Sequence, residues 1–241
     1  AALMPPACEA DPRRANRVNV GGTLNVLAAA AGTDTRVLCA SSKAVYGTVS
    51  GPHAYPAYEP LGEDAPRAPT NVYGATKLAV ENYCRAYARN DDLDVAWFRF
   101  ATTYGPGKGD AHGSLSLLSH LIEGAAAGET VRLSGVDEGS DCIYYPDLAA
   151  GVAAAVEADE LTHRAYHLGT GQAPALRAFV EAVRERCPDA TIEAEGGLDF
   201  FDQPNPRYCR LDISRARSDL GYEPQYFVEE AVDDYLMRLG E

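Results

Sequence analysis

Apolar and polar positions along this chain fall into blocks of two kinds, stretches with a period near 3.6 residues and short unbroken apolar runs. From Asp11 to Ala31, Val18, Val20, Leu24, Val26 and Leu27 share one face at helical spacing. Asp11 before Pro12 supplies an N-cap and a first-turn proline, and Gly32 supplies the stop. Arg36–Ala40 is a short apolar run of the kind that forms a buried parallel strand. A Pro-, Gly- and Tyr-rich loop spans Thr48 to Thr70. The helical period then returns from Val72 to Ala88, where Leu78, Val80, Tyr83, Ala86 and Tyr87 mark a helix entered through Pro69 and Asn71. Further strands are predicted at Asp94–Ala101, Val131–Leu133, Asp141–Tyr145, Ala165–Leu168 and Thr191–Ala194. Helices are predicted at Ser114–Ala127, Asp147–Ala158, Leu176–Arg186, Ser214–Leu220 and Val228–Leu239. Strands alternating with helices predict βαβ units, a parallel sheet and a doubly wound α/β fold. Ligands of such sheets sit at the carboxyl ends of the strands, where Ser42 and the pair Thr102 and Thr103 fall.

Composition narrows the function classes. The 241 residues carry a net charge of −14, from 35 acidic and 21 basic side chains, which opposes nucleic-acid binding through a basic face. Lys43, Lys77 and Lys108 are the only lysines. The six cysteines are scattered without a Cys-x-x-Cys pair, and the histidines lack ligand spacing. A reduced, cytoplasmic setting and no metal are therefore expected. No apolar run approaches the roughly 20 residues of a membrane span, and Pro5, Pro6, Glu9 and Asp11 break any signal-peptide pattern. Gly105-Pro106-Gly107-Lys108-Gly109 lacks the glycine and the Ser/Thr that a phosphate loop needs around its Gly-Lys pair.

The chemistry starts from Tyr73 and Lys77. Four residues apart on a helix, they project from one face, and a nearby positive charge favours a phenolate. A phenol tuned in this way can pass a proton to and from a substrate hydroxyl. With 14 tyrosines in the chain, the pair alone is weak evidence.

Its context is not weak. Ser41-Ser42-x-x-Val45-Tyr46-Gly47, the loop from Pro60 to Pro66, Tyr73-x-x-x-Lys77, Arg99 through Tyr104-Gly105-Pro106, and Gly169-Thr170-Gly171 follow one another in order. Asn19-Val20-x-Gly22-Thr23-x-Asn25 precedes them, and Asp212–Ala216 with Leu220-Gly221-Tyr222-x-Pro224 follows. The pattern resembles the extended short-chain dehydrogenase/reductases, the NAD-dependent epimerase/dehydratase family that includes UDP-galactose 4-epimerase. The resemblance implies a Rossmann-like cofactor domain over residues 1–172, to which 105–140 belong only in part, and a smaller substrate-binding lobe over 173–241. The family's opening strand, Gly-x-x-Gly-x-x-Gly turn and helix are not found here. The expectation is an N-terminally incomplete domain, short of about two βαβ units, that by itself binds dinucleotide weakly.

The resemblance implies NAD, with NADP equally open, and assigns roles. Ser42, Tyr73 and Lys77 are the catalytic set, with Tyr73 exchanging the proton and Lys77 lowering its pKa and holding the nicotinamide ribose. Asn19, Ala40, Ser41, Phe100 and Thr103 join Tyr73 and Lys77 on the cofactor side. Lys43, Thr102 and Arg207 join Ser42 on the substrate side. Asn19 and Asn25 serve equally well as helix-packing residues, and Tyr46 and Tyr104 read as cleft wall or as core. Two departures stand out. Dehydratases of the family carry Asp-Glu after the Ser/Thr, where this chain has Lys43-Ala44, and nucleotide-sugar epimerases carry Arg where it has Ser140. Arg207, Arg210 or Arg132 are the candidate replacements. The readings left open are a nucleotide-sugar epimerase, a dehydrogenase of a small hydroxy acid, sugar acid or amino-acid alcohol, and a cofactor-sensing relative without chemistry. A homodimer packed through the Asp11–Ala31 and Tyr73–Ala88 helices is the family-level expectation.

Overall fold

The computed structural model describes residues 2–108, 116–201 and 207–240. Its strands are β1 (Val37–Ser42), β2 (Val95–Phe100), β3 (Thr102–Tyr104), β4 (Val131–Leu133), β5 (Cys142–Tyr144), β6 (Ala165–Leu168) and β7 (Ile192–Ala194). The α-helices are α1 (Pro5–Ala10), α2 (Pro12–Ala15), α3 (Gly22–Ala30), α4 (Val72–Asn90), α5 (Leu117–Ala126), α6 (Tyr145–Glu157), α7 (Leu176–Arg186), α8 (Ser214–Leu220) and α9 (Val228–Leu239). The start of the expected Ser114–Ala127 helix and the loop through Pro204 and Pro206 lie outside the described residues.

The main sheet runs β1-β2-β6, all parallel, with Ser42 opposite Phe100 and Phe100 opposite Leu168. Three strands therefore finish level, and their carboxyl ends form one rim. The middle strand β2 is apolar and buried on both faces, which is why its sequence reads as an unbroken run. Val95 and Trp97 face α3 and α4, packing with Leu27, Val80 and Cys84. Ala96 and Phe98 face the other way, onto Ala155 of α6, Tyr166 and Ala216 of α8. A second apolar core gathers α5, α7 and α9 over β4, with Leu121, Ile122, Phe179, Val183, Val232 and Tyr235 at its centre. The two short sheets β3-β5 and β4-β7 are also parallel.

Two elements differ in detail from the pattern-based expectation. The Asp11–Ala31 helix is capped as predicted, Asp11 accepting from Arg14 N at 2.9 Å, but it widens into a π-helical turn over Asn16–Gly21. Within that turn the Asn19 carboxamide treats Leu3 as a neighbouring strand would. It accepts from Leu3 N at 2.7 Å and donates to Leu3 O and to Thr76 Oγ1, each at 3.1 Å. The expected Asp94–Ala101 strand ends at Phe100. Past Ala101, whose N–H still donates to Leu168 O, the chain leaves β6 and pairs with β5, which brings Thr102 and Thr103 round to the rim. No helix among the described residues is long and apolar enough to cross a membrane.

Candidate active site

A cleft of about 300 Å³ opens at the rim, walled by the ends of β1 and β2, by the start of α4, by β3 and by Phe201, Arg207 and Tyr208. Local chemistry brings the α4 wall close. Asn71 caps α4, its carboxamide oxygen accepting from Gly74 N at 2.7 Å. The first turn then lies so near the Lys43–Tyr46 turn that a Cβ on Gly74 would sit 2.5 Å from Ala44 O. Only glycine permits that approach, and it sets Tyr73 beside Ser42. Ser42 Oγ accepts from Ala44 N at 3.2 Å, and its hydroxyl favours the ionised form of the neighbouring Tyr73 phenol. Lys77 lies over the Tyr73 ring, Nζ 5.5 Å from the centroid, and donates to Ala40 O at 2.7 Å.

The electrostatics are not those expected from spacing. Burial holds the Tyr73 phenol above its ordinary value, the Ser42 hydroxyl pulling it down and Cys8 pushing it up. Burial also lowers Lys77. The expected lowering of the phenol is corrected in its net direction: the i,i+4 geometry is present, but removing the phenolate from water outweighs what favours it.

Ala40, Ser41, Phe100 and Thr103 line the cleft on the side expected for a cofactor, and Lys43, Thr102 and Arg207 line it as well. Asn19 does not; its carboxamide is committed to Leu3 and Thr76. Tyr46 and Tyr104 are core aromatics, absent from the lining. Of the candidate replacement arginines, Arg132 pairs with Glu193 on the surface, Arg210 donates to Gly171 O, and only Arg207 reaches the cleft.

Sequence reasoning passed over Lys108, which lines the cleft while donating to Thr103 O, and a buried network behind it. Arg99 continues the Val95–Trp97 face of β2 and meets Glu81 of α4 in a fork, Nε to Oε1 at 2.8 Å and Nη2 to Oε2 at 2.7 Å, both side chains fully buried. Ser41 Oγ donates to Glu81 Oε1 at 2.6 Å, and Arg99 Nη1 donates to Tyr46 OH at 2.7 Å. The network ends at His167, whose Nδ1 faces Asp212 O at 2.9 Å and whose Nε2 faces Tyr46 OH at 2.5 Å. A carbonyl only accepts, so Nδ1 carries the proton and Tyr46 donates to Nε2. Burial keeps that imidazole neutral, its pKa lowered to about 3. The only available signal was an Arg in a buried strand, which must find a carboxylate.

The sequence profile of the NAD dependent epimerase/dehydratase family matches residues 2–169. The UDP-glucose 4-epimerase of Mycolicibacterium smegmatis is 33% identical over 231 residues, 92% of this chain and 68% of the epimerase. UDP-glucuronic acid decarboxylase 1 of Xenopus tropicalis is 28% identical over 95% of this chain, which spans about half, 52%, of that relative's length. The holo form of an L-threonine dehydrogenase from Cupriavidus necator superposes with a TM-score of 0.81 at 27% identity, covering 98% of this chain and 76% of the other. With the Ser42–Tyr73–Lys77 cluster at the rim of a parallel sheet and the profile matched through the Gly169 turn, this chain belongs to the NAD dependent epimerase/dehydratase family.

Proposed function

We propose that this chain carries the catalytic wall of an NAD-dependent oxidoreductase of the nucleotide-sugar epimerase kind, acting at a substrate hydroxyl. The observation that carries the reading is the convergence of Ser42, Tyr73 and Lys77 on one cleft at the rim of the sheet, with Lys77 Nζ 5.5 Å from the Tyr73 ring centroid. Tyr73 takes the hydroxyl proton and returns it, Ser42 holds the reacting oxygen, and Lys77 anchors the helix face to Ala40 O.

The residues fit a dinucleotide's nicotinamide end. The Lys77 ammonium has three donors, of which Ala40 O engages one among the described residues, so two remain for a ribose diol. Ala40, Ser41, Tyr73, Phe100 and Thr103 complete that side of the cleft. Bound NAD would supply a hydride acceptor for the carbon that bears the hydroxyl, the chemistry on which either epimerisation or net oxidation would rest.

A second reading, a dehydrogenase of a small hydroxy acid, sugar acid or amino-acid alcohol, is favoured by Ser140, which stands where nucleotide-sugar epimerases carry Arg. Net NADH formation on hydroxy acids favours the second reading; turnover of UDP-sugars without net NADH favours the first. A cofactor-sensing relative without chemistry is opposed by the presence of Ser42, Tyr73 and Lys77 together. The division into a cofactor domain and a substrate lobe is supported by the separate core under α5, α7 and α9. A homodimer through α3 and α4 is supported by Val26 and Tyr83, exposed at 54% and 42% on those helices.

The decisive experiment is Tyr73→Phe. Loss of general acid–base help lowers kcat by about 10²–10⁴-fold while the circular dichroism spectrum is unchanged. Turnover within tenfold of the parent protein removes the assignment.

A further inference from the structure

Every lysine of this acidic chain lies in one place. Lys43, Lys77 and Lys108 all line the cleft, and no Asp or Glu is among its described lining residues. None of the three enters an ion pair among the described residues. Lys77 is anchored to Ala40 O on the cofactor side. Lys43 is 9% exposed, and it donates to two neutral oxygens, Ser140 Oγ at 2.8 Å and Asp141 O at 3.4 Å. Asp141 feels the Lys43 charge, but its two oxygens are taken by Thr170 N and Oγ1, Gly171 N and Leu211 N. An ammonium withdrawn from water costs several kcal/mol unless a counter-charge joins it. Lys43 has no carboxylate oxygen within ion-pair distance among the described residues, so an acid entering the cleft would be its first direct ionic partner.

Resting on the oxidoreductase reading, we infer that Lys43 is the specificity-determining residue for a carboxylate that the substrate carries close to its reacting hydroxyl. Lys43 directly follows Ser42, and both line the cleft with Tyr73, so the ammonium is carried by the residue next to the reacting centre. The cleft is at the small end of ligand cavities, about 300–1,000 Å³, which keeps the two recognised groups of a substrate near one another. The lining also selects between kinds of acid. A hydroxy acid or sugar acid matches it, whereas the ammonium of an amino-acid alcohol finds no carboxylate among the described lining residues. A uronic acid, free or attached to a nucleotide, presents the required chemistry.

Calorimetric titration of the holo protein with two matched pairs, D-glucuronate against D-glucose and UDP-glucuronate against UDP-glucose, tests the inference. The parent protein is expected to bind the acid of at least one pair tenfold or more tighter than its neutral counterpart. Lys43→Met should bring that ratio within threefold of one and leave the neutral affinity within threefold. Lys43→Arg, which keeps the charge, should retain a preference of the same sign. Ratios near one in both pairs for the parent protein, or an unchanged ratio in Lys43→Met, overturn the inference. So does an equal loss for UDP alone and UDP-glucuronate in Lys43→Met, which would put the ammonium on the diphosphate. A Lys43-dependent acid preference in a protein whose turnover survives Tyr73→Phe would instead refute the oxidoreductase reading and leave this one standing.

Discussion

Lys43 and Ser140, 97 residues apart, meet at 2.8 Å through ammonium and hydroxyl. Both are positions at which the sequence departs from the patterns of dehydratases and nucleotide-sugar epimerases. The epimerase pattern brings its cation from the position two residues before β5; in this chain a cation comes from the end of β1 and rests on the small residue at that position. The contact should have measurable energy. A double-mutant cycle of Lys43→Met and Ser140→Ala, read by urea denaturation, is expected to show coupling on the order of 1–3 kcal/mol, as for a buried hydrogen bond to a charged group. Additive single effects would mean that the two merely lie side by side.

The Glu81–Arg99 fork makes a harsher prediction. Glu81→Gln leaves a fully buried guanidinium without its carboxylate and should cost about 3–5 kcal/mol, lowering the urea midpoint at constant slope. Replacing both partners with apolar residues of similar volume should cost less than either single change. Ser41 and Tyr46 hang on the fork, so the single variant should also slow turnover. A loss under 1 kcal/mol would contradict the role given to the pair.

Tyr73 is held above its ordinary pKa by burial, so in the chain without NAD it should stay protonated beyond about pH 10. Oxidised nicotinamide is positively charged, and a nearby positive charge favours the phenolate. An ultraviolet difference titration, parent protein minus Tyr73→Phe, should show no Tyr73 ionisation below pH 10 without cofactor. Saturating NAD⁺ should move that ionisation to lower pH, and NADH should not. Identical titrations in all three states would remove cofactor charge as the tuning element.

His167 gives the fold an acid limit. Its ordinary pKa near 6.5 is lowered to about 3 by burial, so the unfolded chain binds a proton that the folded chain refuses across that interval. Its contribution to stability is intact above pH 6.5 and is lost as pH falls from 6.5 towards 3, at up to about 1.4 kcal/mol per pH unit. Unfolding free energies of the parent protein and His167→Gln, measured between pH 7 and 4, should converge as the pH falls. Parallel curves would show that the imidazole is protonated in the folded state.

The alternation of elements was readable because each carries its own local signal: Asn71 before Val72, the apolar β2 run, the Asp11 cap. The positions of Ser42, Tyr73 and Lys77 were readable because they keep fixed spacing in one order. What could not be read depends on burial or on distant partners. Glu81 sits on α4 among residues that look solvent-facing, and only Arg99 arriving from β2 makes it core. Spacing put Lys77 next to Tyr73 but said nothing of desolvation, which set the phenol's pKa. The π-helical turn at Asn16–Gly21 is invisible to periodicity, since six residues are too few to show a change of period, and Asn19 within it bonds to distant Leu3.

The gathering of all three lysines at the cleft has a practical corollary. On most proteins, amine-directed reagents scatter over dozens of exposed side chains. On this one, every ε-amine belongs to the same 300 Å³, so reductive methylation or acylation of lysine becomes a reporter of that space alone. The rate at which each amine reacts, and the ligands that slow it, would map occupancy without any assay of turnover.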